Sequence, residues 1–279
     1  MKQVKPGNAH VILAEVARTE RVSPNVVRVT FGGEALRRFE PMGLDQWFRL
    51  FLPREGQDVL RLPTRSSALW YAQFLRMPKH QRPYVRNYTV RAHRAAGSVK
   101  PDGSVLAHPE LDVDFVVHGE GAGPASDWAV RARPGATAGI LDQGTTYSPD
   151  PTVDWHLIVA DETGLPAAAG VLNQLPRSAV GHAFVEIPDA ADTQPIHAPT
   201  GVALHWLPRA DHRTPGVLAL ETVREALHSA TLPGGRGYAH LMGESALVTG
   251  LRRHLVSAGM PKADITFIGY WRAGHAAAG

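Results

Sequence analysis

The feature that most constrains this chain is a change of texture between residues 143 and 155. There Gly144, Thr145, Thr146, Ser148, Pro149, Asp150 and Pro151 make a stretch of linker composition. Ahead of it lie short β-branched and aromatic runs at residues 11–19, 26–31, 46–52, 84–92, 111–118 and 137–141, broken by Pro and Gly clusters. Ser23-Pro24-Asn25 reads as the turn of a hairpin, and strands at this spacing predict a small antiparallel barrel. Residues 61–83 mix apolar, basic and proline residues and read as an excursion between barrel strands. Beyond the break, strands at 157–160, 180–187, 202–207, 238–242 and 265–271 alternate with helices at 165–175, 219–229 and 245–258. That alternation predicts a parallel sheet covered by helices, with ligands at the carboxyl ends of its strands. The expected fold is an N-terminal antiparallel β-barrel, residues 1–145, followed by a Rossmann-like parallel α/β domain, residues 154–279.

Composition then narrows the chemistry. None of the 279 residues is Cys, which removes disulfides, a thiolate nucleophile, a cysteine-ligated zinc and a cysteine-bound iron–sulfur cluster. Any redox chemistry needs a borrowed cofactor. The 29 Lys and Arg are interleaved with 26 Asp and Glu, unlike the concentrated basic face of a nucleic-acid protein; a small anionic ligand fits better. The first ten residues lack the apolar core and cleavage site of a signal peptide, and no run approaches the roughly 18 apolar residues of a membrane helix. A soluble, cytoplasmic protein is expected. The 14 histidines are scattered with no H-E-x-x-H, and His205 and His212 lack a nearby third ligand, so no metal site is predicted. Gly243-Glu244-Ser245-Ala246 lacks the second glycine of a serine-hydrolase elbow.

Three segments carry chemistry. The first is the predicted strand Arg86-Asn87-Tyr88-Thr89-Val90-Arg91, whose alternation sends Arg86, Tyr88 and Val90 to one face and Asn87, Thr89 and Arg91 to the other. A flavin needs an aromatic wall, a donor at its redox-active nitrogen and a cation for its pyrophosphate; Tyr88, Thr89 and the pair Arg86 and Arg91 supply these types. The same hexapeptide also suits a barrel surface strand with solvated arginines. The second segment runs from a strand through His118-Gly119-Glu120-Gly121-Ala122-Gly123 into Pro124-Ala125-Ser126-Asp127-Trp128, a glycine-rich turn that opens a helix. Free amides there make an anion site, although the spacing is not the dinucleotide fingerprint and an ordinary hairpin loop is the other reading. The third is the apolar strand ending in Asp161-Glu162-Thr163-Gly164 ahead of Leu165-Pro166, at the first strand-to-helix turn of the α/β domain. Thr163 there also reads as a simple N-cap.

As an ordered set these segments resemble the siderophore-interacting protein family of flavin-dependent ferric-siderophore reductases, within the ferredoxin–NADP reductase-like group. The likeness runs from about Ala14 to Arg272, and takes in residues 185–196, Trp206-Leu207-Pro208-Arg209, Gly243-Glu244 and the closing Gly269-Tyr270-Trp271-Arg272. The resemblance implies a non-covalent FAD held by Arg86, Asn87, Tyr88, Thr89, Val90, Arg91, His118, Gly123, Ala125, Ser126 and Trp128. It implies NADPH or NADH near Asp161, Glu162, Thr163, Pro166, Gly243 and Glu244, and Tyr270, Trp271 and Arg272 near the flavin. A final buried strand with a frayed end explains those last three residues equally well.

Two departures bear on the substrate. Arg49 stands where the family commonly has a lysine, and Asp127 where a basic residue commonly follows the serine; both positions are associated with the anionic ferric siderophore. Leu241-Met242 also replaces the usual aromatic before Gly-Glu. Arg65, Lys79 and Arg82 read as solvated charge more readily than as chelate ligands. Neither Arg177 nor Arg209 is singled out by spacing for a 2′-phosphate, and oligomeric state is not encoded legibly. The implied activity is transfer of electrons from NAD(P)H through flavin to ferric-siderophore iron. Two alternatives stay open: a flavin or ferredoxin-type reductase of the same fold with another acceptor, and a flavin- or siderophore-binding protein without turnover.

Overall fold

The computed structural model describes residues 3–57, 59–67, 69–117, 123–210 and 214–275. The chain divides into two compact units: one of residues 4–42 and 46–145, the other of residues 146–278 together with 1–3 and 43–45.

The first unit is a seven-stranded antiparallel sheet in the order β4-β3-β7-β1-β2-β6-β5. Its strands are β1 (Val11–Ser23), β2 (Val26–Gly32), β3 (Trp47–Leu52), β4 (Tyr84–Thr89), β5 (Ala92–Arg94), β6 (Glu110–Val116) and β7 (Thr137–Gly144). Alternate residues turn inward, so Ile12, Ala14 and Val16 meet Val29, Phe31, Phe48, Leu50, Leu111, Val113, Phe115 and Ile140 in one core. The expected single strand over residues 84–92 is instead two strands at opposite ends of the sheet order. Val90 donates its N–H to the Gln46 carbonyl beside β3, and Arg91 donates to the Asp112 carbonyl on β6. Val90-Arg91 is therefore the seam where the sheet closes on itself, which breaks the two-residue alternation after Thr89. Helix α1 (Leu69–Arg76) lies within the excursion, and α2 (Pro124–Arg131) packs against β2, β4 and β6. Arg82 is not simply solvated: Nε donates to the Met77 carbonyl at 2.8 Å and Nη2 to that of Leu75, closing the end of α1.

The second unit is a five-stranded parallel sheet in the order β10-β9-β8-β11-β12. Its strands are β8 (Trp155–Ala160), β9 (Val180–Ile187), β10 (Gly201–Pro208), β11 (Gly237–Glu244) and β12 (Ile265–Trp271), with helices α3 (Leu165–Leu172), α4 (Val217–His228) and α5 (Ser245–Ser257). Leu157 and Val159 pack with α4 and α5, Ile158 and Ala160 with α3, so β8 is buried on both faces and reads as one continuous apolar run. Residues 43–45 are an addition that the sequence does not announce. Gly170 of α3 lets the Leu44 carbonyl approach to where a Cβ would stand, 2.0 Å away. Asp45 then accepts the N–H groups of Thr146 and Tyr147 at 3.0 Å, and its Oδ2 lies 3.2 Å from Nε2 of the fully buried His240. Burial works to raise the Asp45 carboxyl, but His240 and the Thr146 and Tyr147 donors hold it below the ordinary range. No helix among the described residues is long and apolar enough to cross a membrane.

Candidate functional site

In the barrel the predicted residues gather around β4 and the start of α2. Tyr88 turns into the core, its ring 4.3 Å from that of Phe115, which stands 5.8 Å from Trp128; Trp128 in turn stacks on Phe31 at 6.1 Å. Burial pushes the Tyr88 hydroxyl well above its ordinary pKa. Arg86 shares that face of β4, its Nη1 donating to the Val85 carbonyl at 2.8 Å. Thr89 is buried on the opposite face, paired across the sheet with Trp47, while Asn87 is exposed and paired with Arg49. Arg91 lies beyond β4 with its Nε 3.5 Å from Asp114, which Arg28 also grips at 2.6 Å; it shares its charge with an internal network rather than offering it whole.

Helix α2 starts on Gly123, whose φ of +136° favours glycine, with Pro124 following and no side chain capping the end. Asp127 donates its N–H to the Gly123 carbonyl, whereas the N–H groups of Ala125 and Ser126 belong to the first turn and have no intrahelical acceptor. The Ser126 hydroxyl is buried and has no hydrogen-bond partner. An orphaned hydroxyl and two free amides beside a strand carrying Arg86 fit an anionic phosphate ligand. Asp127 occupies the same turn, one residue past Ser126. His118 lies outside the described residues.

In the α/β unit the predicted residues meet at the carboxyl edge of the sheet, but mostly by holding one another. Oδ1 of Asp161 accepts from Thr163 N–H at 2.8 Å and Oγ1 at 2.6 Å; Oδ2 accepts from Glu244 N–H at 2.7 Å and Trp271 Nε1 at 3.0 Å. This carboxylate ties β8, β11 and β12 together, and burial, with Glu162 nearby, raises its pKa to about 6. A Cβ on Gly243 would stand 2.5 Å from that carboxyl carbon, so only glycine fits. Thr163 is not the N-cap of α3; Gly164 is, without a side-chain bond, because the Thr163 hydroxyl is spent on Asp161. Pro166 is buried in the first turn of α3. Glu244 caps α5 and accepts from Ala273 N–H at 3.2 Å, while Ser245 holds the Trp271 carbonyl at 2.7 Å. Tyr270 packs against the α3 side of the sheet, and Arg272 is exposed.

Glu162 is bound bidentately by Arg209 at 2.6 and 2.7 Å. Glu186, 3.6 Å from the same guanidinium, accepts from Gly216 and Ala219 N–H and so closes the start of α4. Sequence reasoning missed Asp45, His240 and Glu186, since a lone acid or histidine in an apolar run carries no spacing. His182 and His205 form a coplanar pair 3.1 Å apart beside Phe184, and no group of three possible metal ligands occurs among the described residues.

Comparison with known proteins covers both units. A family model described as siderophore-interacting FAD-binding domain matches residues 15–146, and one described as siderophore-interacting protein matches residues 153–274. Ferric vibriobactin reductase ViuB of Vibrio cholerae is 32% identical over 270 residues, 94% of this chain and 89% of its own. An NADPH-dependent ferric-chelate reductase of Escherichia coli is 28% identical over 263 residues, 92% and 91% of the two chains. The crystal structure of a siderophore utilization protein from T. fusca superposes with a TM-score of 0.78 at 31% identity, covering 99% of this chain and 97% of that one.

Proposed function

This chain belongs to the siderophore-interacting protein family, and on that premise we propose that it is an oxidoreductase carrying electrons from NADPH or NADH, by way of non-covalently held FAD, to the iron of a ferric siderophore. The observation that carries this reading is the orphaned Ser126 hydroxyl at the uncapped start of α2, a helix that packs against β4, the strand of Arg86. In this reading residues 1–145 hold FAD and residues 154–279 hold the nicotinamide.

Bound FAD supplies the conversion of a two-electron hydride donor into a one-electron donor, so one nicotinamide serves two ferric chelates. The chain's own part is binding and orientation. Arg86, with the Ala125 and Ser126 amides and the Ser126 hydroxyl, holds the pyrophosphate; Asn87, Thr89, Val90 and Arg91 line the seam beside it. Tyr88 and Trp128, wedged against Phe115, make a stiff apolar floor, with Gly123 giving the backbone close access. At the α/β edge, Asp161 and Glu162 act by fixing the loop through Thr163 and Pro166, so that Gly243, Glu244 and the turn present backbone rather than charge to the nicotinamide. Arg209 is already committed to Glu162 and Glu186 and is not offered to a 2′-phosphate. Arg49 supplies a cation for the anionic chelate. Tyr270, Trp271 and Arg272 close the site, with Trp271 aimed by Asp161. No protein ligand to iron is needed, since reduction itself weakens binding by hard oxygen donors.

The test is the absorption spectrum of the purified protein. A flavin spectrum that bleaches anaerobically with a reduced nicotinamide, and returns on adding a ferric siderophore as a ferrous indicator colours, supports the reading. Ser126→Ala should weaken FAD retention by about three- to tenfold, the loss of one hydrogen bond. Protein that takes up no FAD would sink it.

A further inference from the structure

Trp47 carries an indole N–H that the fold leaves unanswered. Its Nε1 is buried and has no hydrogen-bond partner among the described residues. Two other tryptophans show the ordinary outcome: Trp155 donates to the Gly235 carbonyl at 3.3 Å, and Trp271 to Asp161 at 3.0 Å. A buried donor without an acceptor costs about 1–3 kcal/mol and calls for an explanation.

The register of the sheet fixes what stands beside this indole. Trp47 on β3 is paired with Thr89 on β4 and with Gly144 on β7. One step along the ladder, Val90 donates its N–H to the Gln46 carbonyl. Trp47 and Thr89 are therefore the pair without ladder bonds of their own, the kind whose side chains stand closest. Both lie on the face opposite the core that takes in Phe48 and Tyr88. On the β7 side Gly144 brings no side chain, and so no acceptor. The indole is also held: the Arg49 guanidinium lies 5.6 Å from its ring and 4.9 Å from that of Trp70, so one cation ties it to α1.

Thr89 is the donor expected at the redox-active nitrogen of the flavin, and chemistry picks the acceptor for a second donor beside it. That nitrogen carries its own proton once reduced and ceases to accept. The carbonyl oxygens of the pyrimidine ring gain negative charge on reduction and accept more strongly. We propose that the Trp47 indole N–H donates to a pyrimidine carbonyl of bound FAD, next to Thr89, and so favours the reduced form of the cofactor. This rests on the FAD reading above and adds to it a contact from β3.

The experiment follows the indole N–H signals of the intact protein, labelled with nitrogen-15, before and after FAD is added. The chain has six tryptophans, and Trp47→Phe, which keeps an aromatic ring, identifies the signal of Trp47. That signal should move downfield and exchange more slowly with solvent once FAD is bound. In a spectroelectrochemical titration, Trp47→Phe should hold reduced FAD about three- to tenfold less tightly relative to oxidised FAD. The two-electron midpoint potential then falls by about 15–30 mV, a shift that a merely structural role for the ring would not produce. FAD uptake with no indole signal moving downfield overturns the proposal, a result that needs no variant. So does a Trp47→Phe protein that holds FAD at an unchanged potential. In both cases the reductase reading stands. A wild-type protein that takes up no FAD overturns the reductase reading and this contact with it.

Discussion

The two units bury their acids under opposite terms. On β6 of the barrel, Glu110, Asp112 and Asp114 share the face opposite the core, and each is gripped by arginine: Arg18 and Arg94 on Glu110, Arg94 on Asp112, Arg28 and Arg91 on Asp114. Burial acts to raise Asp112, but Arg94 and Thr30 hold it below the ordinary carboxylate range. At the carboxyl edge of the parallel sheet, Asp161, Glu162, Glu186 and Glu244 are equally buried, with Arg209 as the one cation paired to them among the described residues. There burial wins, raising Asp161 to about 6 and lifting Glu186 as well. The first cluster is neutralised framework. In the second, backbone N–H groups hold Asp161, Glu186 and Glu244, and Arg209 holds Glu162.

The contrast can be broken at its extremes. Arg209→Met should be the most damaging change, removing the bidentate partner of buried Glu162 and the guanidinium beside buried Glu186 at a cost of about 3–5 kcal/mol. Denaturant midpoints measure it, and amide exchange should rise in β8 and β9 but not in β1 or β2. Next comes pH. A carboxyl whose folded pKa lies above its unfolded value stabilises below the unfolded value and loses that contribution as pH rises through the folded one. The α/β unit should therefore lose about 2 kcal/mol between pH 4 and 7 through Asp161, with Glu186 acting in the same direction. A Asp161→Asn variant should flatten that slope, and an unchanged slope would erase the distinction between the clusters. Asp112→Asn should cost about 1–2 kcal/mol at pH 7. Because the Asp112 pKa is depressed, the wild-type advantage should fade only as pH falls below about 4. Glu34, exposed and paired with Arg37 and His108, is the control: Glu34→Gln should leave the melting midpoint where it is.

Much of this architecture is legible in the sequence because it rests on periodicity. The inward residues of β1 and β2, the apolar run of β8 and the strand over Ile265–Trp271 follow from two-residue alternation or continuous burial. The seam at Val90-Arg91 is not legible, since sheet closure depends on Gln46 and Asp112, which are distant in sequence. The candidate site divides the same way. Ser126 stands where a helix start can be read from Gly123-Pro124, whereas the commitment of Arg209 to Glu162 and of Thr163 to Asp161 depends on pairings that no local pattern encodes. Trp70 sits in an excursion whose composition reveals an apolar stretch but not the cation it faces.

The tripeptide Gly43-Leu44-Asp45 also sets a timetable. During synthesis Asp45 leaves the ribosome roughly two hundred residues ahead of His240, an interval on the order of ten to forty seconds at ordinary elongation rates. Its partners Thr146 and Tyr147 arrive midway, and the buried pairing with His240 completes only after β11 has been made. A gene fragment cut at residue 146 would encode every strand of the parallel sheet and still omit one of its buried acids.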